Sequence, residues 1–93
     1  MKFKEVTYES NEVISVINNN DDSIDTKVYS NNDTCIIYST DYRVQHLTIS
    51  NPKRKVKDSE INYALFRIMK AKLEDVHIFM TRTGVIHMHK RLV

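Results

Sequence analysis

The hydrophobic period of this chain changes twice, and those changes bound what it can fold into. Up to Ser50 the apolar residues alternate or cluster in short runs. Between Ile61 and Leu73 they recur at helical spacing, and from Val76 they alternate again. Period 2 belongs to half-buried strands and period 3.6 to a one-faced helix. A strand-rich first half, one helix and a final pair of strands are therefore expected.

The first half supplies several strand segments. Lys2–Glu9 places Phe3 on one face and Val6 and Tyr8 on the other, a phase change that suggests a bulge or an irregular edge strand. Glu12–Ile17 is rich in Val and Ile, and Thr26–Ser30 is a short strand. Thr34–Thr40 is the most apolar run, and Leu47 and Ile49 oppose Val44 and His46 within Tyr42–Ser50. Asn18–Asp25 reads as a polar loop and Asn31-Asn32-Asp33 as a turn, because Asn tolerates the left-handed region. Asp41 starts another turn, and Asn51-Pro52 ends the last of these strands, since proline cannot donate to a ladder.

After a basic loop, Asp58 is placed as N-cap with Glu60 in the first turn to meet the helix dipole. Ile61, Ala64, Leu65, Ile68, Met69 and Leu73 then line one face, which predicts a helix over about residues 58–73. The closing hairpin, about residues 75–92, has two possible registers. A two-residue loop at Thr83-Gly84 mixes apolar and polar side chains on both faces. A three-residue loop with Gly84 left-handed pairs Met80 with Ile86 and Ile78 with Met88, leaving one face uniformly apolar. The second register is preferred. The fold class is α+β: an antiparallel β-sheet of about five to seven strands packed on one α-helix, in a single domain spanning 1–93.

Composition narrows the function classes. One glycine and one proline in 93 residues leave no glycine-rich phosphate loop. Cys35 is the only cysteine, which excludes an intrachain disulfide and a multi-cysteine zinc site and suggests a reducing compartment. No signal-like or membrane-spanning stretch is visible, so a cytoplasmic protein with no membrane partner is expected. Net charge is +2, but it is unevenly distributed. Residues 1–50 carry four basic and eight acidic side chains, whereas residues 51–93 carry ten basic and four acidic. Such polarity bears on association, not on fold.

Three groups of residues carry candidate chemistry. Lys53, Arg54, Lys55 and Lys57 precede a helix N-terminus, where cations and free backbone N–H groups hold phosphates. Lys70, Lys72, Lys90 and Arg91 add charge, and Tyr63 and Phe79 are able to stack on bases if exposed. A five-residue basic run is more often a solvated loop. The preferred hairpin register sets His77 opposite His89 and Phe79 opposite His87, so that His77, His87 and His89 meet on the sheet face away from the helix. Three imidazoles are a known zinc set, although plain surface histidines are the commoner case. Finally, Asp21, Asp22 and Asp25 make an acidic loop that, with Tyr42 among five tyrosines, suits a basic protein surface. Cys35, between Thr34 and Ile36 in an apolar strand, reads as an inert thiol. No Walker, GxSxG, HExxH or EF-hand motif is present, and no cofactor or catalytic residue is assigned.

The sequence Gln45-His46-Leu47-Thr48-Ile49-Ser50, followed by a basic loop, a helix from Asp58, Asp75-Val76-His77-Ile78 and Val85-Ile86-His87-Met88, resembles small phage and prophage proteins with the same layout. The resemblance covers about residues 44–89, and its site residues are not defined. It implies a non-catalytic accessory protein that binds and blocks a host protein in the bacterial cytoplasm, such as a CRISPR effector or another nucleic-acid enzyme, in the manner of anti-CRISPR and anti-defence inhibitors. The alternatives are a nucleic-acid-binding accessory protein using loop 53–57 and a metal enzyme using the histidines. A homodimer through the Lys2–Glu9 edge is a further expectation.

Overall fold

The structure, a computed structural model, describes residues 2–6, 25–41 and 43–92. The expected strand Glu12–Ile17, the end of the first strand beyond Val6, Asp21, Asp22 and Tyr42 lie outside these. Among the described residues six strands form one antiparallel sheet: β1 (Lys4–Val6), β2 (Asp25–Asn31), β3 (Thr34–Thr40), β4 (Val44–Ser50), β5 (His77–Met80) and β6 (Ile86–Arg91), in the spatial order β1-β2-β3-β4-β6-β5. The fold is α+β. Between β4 and β5 the chain crosses one face of the sheet as a helix, reaches the far edge, and returns as β6 to pair with β4.

The pairing puts the apolar residues of three strands, β3, β4 and β6, in register on the helix side. Ile36 faces Ile49, which faces Ile86; Leu47 faces Met88. All five are buried, and with Ala64, Leu65 and Met69 of the helix and Phe3 of the N-terminal segment they form the core. Phe3 is fixed from two sides: its ring lies 4.9 Å from that of Tyr63, and its N–H donates to the Tyr63 hydroxyl at 3.3 Å.

The turns follow from local chemistry. Asp41 accepts from the N–H groups of Arg43 and Val44 at 2.7 and 2.8 Å, closing the β3–β4 connection. Asn32, between β2 and β3, takes a φ of 53°. The final hairpin has the three-residue loop. Thr81 N–H donates to Val85 at 2.9 Å, Met80 faces Ile86 and Ile78 faces Met88. Gly84 sits at φ +86°, and a β-carbon there would meet nothing within 4 Å. Gly84→Ala is therefore expected to destabilise by about 1–2 kcal/mol through backbone conformation alone, measured as a chemical-denaturation midpoint shift. A change below about 0.3 kcal/mol would show that the loop relaxes to another turn.

The helix is shorter than its apolar spacing predicts. The α-helical part, α1, is Asp58–Tyr63; it continues as a π-helical turn over Ala64–Ile68, closed by Met69 N–H to the Ala64 carbonyl at 2.9 Å. Lys57 is the N-cap residue rather than Asp58, and its N–H donates to Glu60 Oε1 at 2.9 Å. Lys70 then turns left-handed, with φ 54°, and Ala71 N–H reaches back to Leu65 at 3.1 Å. Leu73–Asp75 is a separate 3-10 turn in which Leu73 is 63% exposed. The six α residues and five π residues span roughly 15 Å, while each seven-residue strand beneath runs about 23 Å. Among the described residues, one end of the sheet is thus left uncovered.

Candidate functional site

The open end is a groove of about 610 Å³ between the sheet and the C-terminal end of the helix. Its floor is a cross-strand row. Asp25 of β2 faces Thr40 of β3, Thr40 faces Gln45 of β4, and Gln45 faces Lys90 of β6. The next row contributes Lys27 opposite Tyr38, and the one after it Tyr29. The helix adds Tyr63, Arg67, Ile68, Met69 and Lys70 as the opposite wall. Alternation explains this placement: these residues share the pleat face of Ile36, Leu47 and Met88 but lie past the end of the helix that would cover them.

The electrostatics are one-sided. Among the described residues, Lys27, Arg67, Lys70 and Lys90 line the groove against one carboxylate, Asp25. Burial pushes the Tyr29 hydroxyl above its ordinary value; Lys27 pulls it down, and Glu5, Tyr38 and Tyr63 add to the rise. Gln45 Oε1 is shielded from solvent and has no hydrogen-bond partner among the described residues, a state that costs about 1–3 kcal/mol. Lys70 is the most telling member. It occupies the left-handed position after the helix that glycine usually takes, at a cost of about 1–2 kcal/mol. Strain of this kind gathers at functional positions. Lys70→Gly is expected to raise stability by about 0.5–1 kcal/mol in thermal or chemical denaturation. A loss of stability would mean that the lysine is packed for structure.

The basic loop is built differently from the solvated run expected from the sequence. Arg54 turns inward and pairs with Glu60, Nη1 to Oε1 at 2.7 Å and Nη2 to Oε2 at 3.3 Å. Glu60 is 2% exposed. Arg54 Nη2 and Asn51 Nδ2 both donate to the buried Thr34 hydroxyl, at 3.3 and 2.9 Å, and Asn51 Oδ1 accepts from the N–H groups of Lys53 and Arg54. Lys53 lies 3.2 Å from Asp33 in an exposed pair. Lys55 and Lys57 remain exposed. Of the four cations in this loop, Arg54 thus clamps the loop to the helix start and Lys53 bridges to the β2–β3 turn.

The histidines meet on the opposite face, with one change of membership. His77 faces His89 and Phe79 faces His87, as the hairpin register requires. The described cluster of parallel rings, however, joins Phe79, His87, His89 and His46, with His46–His89 centroids at 4.3 Å, Phe79–His87 at 4.9 Å and Phe79–His89 at 5.6 Å. His46 enters because β4 pairs with β6, which nothing in the local sequence announces. His46 Nε2 and His87 Nδ1 are 3.3 Å apart, and their ring centroids are 5.5 Å apart at 15°. The rings therefore meet nearly end to end and share one hydrogen bond. Among the described residues no group of three His, Cys, Asp or Glu is placed to hold a metal.

Burial first, and then the charges of His89 and His87, hold His46 below its ordinary value of 6.5. The folded state therefore prefers neutral His46. Its contribution is fully present above pH 6.5 and is lost as pH falls through the depressed folded value. Melting temperature is expected to fall between pH 7 and pH 5, and to fall less in His46→Asn; an unchanged slope in the variant would remove His46 as the cause.

Cys35, on this same face, has its thiol pushed up by burial, which suits the inert reading. Asp25, expected in an acidic loop, instead begins β2 at the mouth of the groove. Among the described residues no helix is long and apolar enough to cross a membrane.

A family model described as a domain of unknown function, DUF1827, matches residues 1–90. A comparison with curated proteins finds no match. Among solved structures, the chain is similar to the crystal structure of a conserved protein of unknown function from Streptococcus thermophilus LMG 18311. The TM-score is 0.81 at 22% identity, over 98% of this chain and 96% of that one. At that identity the likeness speaks for the fold alone. The match over residues 1–90, nearly the whole chain, places this protein in the DUF1827 family.

Proposed function

We propose that this protein is a small, non-catalytic binding protein that takes a multiply charged anionic ligand in the groove beside Lys70. The supporting observation is the convergence of Lys27, Arg67, Lys70 and Lys90 on one open cavity, with Lys70 held there in a strained backbone conformation. Like charges gathered around a concave surface repel one another and focus an attractive field on an anion. These four cations come from β2, the helix end, the turn after it and β6, so the field exists only in the folded chain.

Calorimetry with inorganic tripolyphosphate at low salt tests this. Binding is expected to weaken as salt is raised, and Arg67→Glu or Lys90→Glu is expected to reduce affinity at least about tenfold each, the scale of a lost charge-assisted contact. With the titration repeated at about 0.15 M salt, Lys55→Glu with Lys57→Glu, on the basic loop, is expected to leave affinity within about twofold, since those charges are not in the groove lining and are screened at that ionic strength. Failure of tripolyphosphate to bind at low salt would overturn the proposal. Loss of binding only in the loop variant would return the site to residues 53–57.

A second reading keeps the protein-binding inhibitor, of anti-defence type, that the resemblance implies. What supports it is the β5 edge strand, where Phe79 and Met80 are 50% and 60% exposed. An unpaired edge with exposed apolar side chains suits strand addition by a partner. Capture of one specific host protein by the wild-type chain, lost in Phe79→Lys, is the expected result; equal capture by both would remove that surface.

A further inference from the structure

We infer that the anion is a nucleoside polyphosphate, whose base lies on the tyrosines with its polar edge against Gln45 and whose phosphates meet the cations. This rests on the anion-binding reading of the groove and goes beyond it in chemical class. Charge alone would select any polyphosphate. The groove adds two features that a bare polyphosphate does not use.

The first is aromatic. Tyr29 and Tyr38 rise from neighbouring strands of the floor, and Tyr63 stands on the helix opposite them. Tyr63 is engaged by Phe3, so Tyr29 and Tyr38 are the rings beside the cations, a pairing by which proteins hold bases and their phosphates together. The second is the Gln45 amide. Its Oε1 has no partner among the described residues and is shielded from solvent, so a base edge meets it once the Gln45 side chain rotates toward the groove it lines. A primary amide presents an acceptor beside donors, and a base edge carries the complementary pair.

The layout also separates the two halves of the ligand. Gln45 lies in the middle of a floor row, between Thr40 and Lys90. Arg67 and Lys70 sit on the helix end, and Lys90 ends the row on β6. Neighbouring strands are about 4.8 Å apart, so the four-strand row from Asp25 to Lys90 spans about 14 Å, enough for a nucleoside with its phosphates. The volume of about 610 Å³ falls within the usual range for a small-molecule site. A bounded groove of this size fits a free nucleotide better than a continuing strand.

The experiment is calorimetry on the full chain with ATP, tripolyphosphate and a single-stranded oligonucleotide of eight residues, at fixed low salt. ATP is expected to bind at least about tenfold tighter than tripolyphosphate, as one stacked base implies. Gln45→Leu is expected to shrink that margin, read as the ratio of ATP to tripolyphosphate affinity within the same variant. Saturation-transfer NMR on the wild-type protein reports base contact without any variant, so a misfolded Gln45→Leu does not block the test. Equal affinity for ATP and tripolyphosphate, with no transfer to base protons, would overturn the nucleotide inference and leave the anion site standing. No binding of either would overturn both. Oligonucleotide binding more than tenfold tighter than ATP would assign the groove to nucleic acid instead.

Discussion

Arg54→Ala is expected to destabilise the protein by about 3 kcal/mol, the lower end of the range for breaking a buried ion pair. The reason lies in what the substitution leaves behind. The Glu60 side chain is 3% exposed and its carboxylate depends on the guanidinium, which is itself 36% exposed and so loses less water on pairing. Removing the arginine strands a charge among Thr34, Asn51 and the first turn of the helix. For a domain of this size the loss corresponds to a fall in melting temperature of about 12–24 °C. Replacing both partners together, Arg54→Met with Glu60→Leu, is expected to recover part of it, because no buried charge is then left unpaired. A single-variant loss below about 0.5 kcal/mol would show that the pair behaves like an exposed one.

The second large effect is acid sensitivity with a defined sign. Burial pushes the Glu60 carboxyl up. Hydrogen bonds from Arg54, Thr34 and the Lys57 N–H, with the Arg54 charge, outweigh that and bring it from 4.5 down to about 2. A depressed folded value means that the unfolded chain takes up the proton first as pH falls. The contribution of Glu60 is therefore fully present above pH 4.5 and disappears as pH drops through about 2. That displacement corresponds to about 3 kcal/mol at neutral pH. Denaturant titrations at pH 7, 4 and 2.5 are expected to show this decline in wild type and a smaller one in Arg54→Ala. An equal decline in both would place the acid-sensitive carboxylate elsewhere. The loss tied to His46 begins as pH falls below 6.5, above the onset of the Glu60 loss at 4.5.

Both predictions concern residues whose sequence context pointed elsewhere. Lys53–Lys57 has the composition of a solvated basic run, and Glu60 has the position of an exposed first-turn acid. Burial of Glu60 depends on the end of β3, where Thr34 lies, and on Asn51 after β4; neither contact is local in sequence. The helix shows the same limit. Apolar spacing carries it to Leu73, but Lys70 breaks the backbone and leaves Leu73 exposed. Periodicity records which side chains are apolar, not where a π turn ends a helix.

The amino-acid order by itself determined the period changes, and through them the α+β class, the antiparallel strands and the final hairpin. It also determined the hairpin register, because only the three-residue loop keeps Ile78, Met80, Ile86 and Met88 on one face, and Gly84 stands where that loop needs a left-handed residue. These are local properties, fixed by alternation and turn chemistry within about twenty residues. The tertiary structure alone decided the strand order. Returning β6 between β4 and β5 brings Lys90 beside Gln45 and His46 beside His89. The groove is a product of that order and of a helix too short for its sheet. Its cations stand at positions 27, 67, 70 and 90, and only packing across the sheet brings charges so far apart in the chain around one cavity.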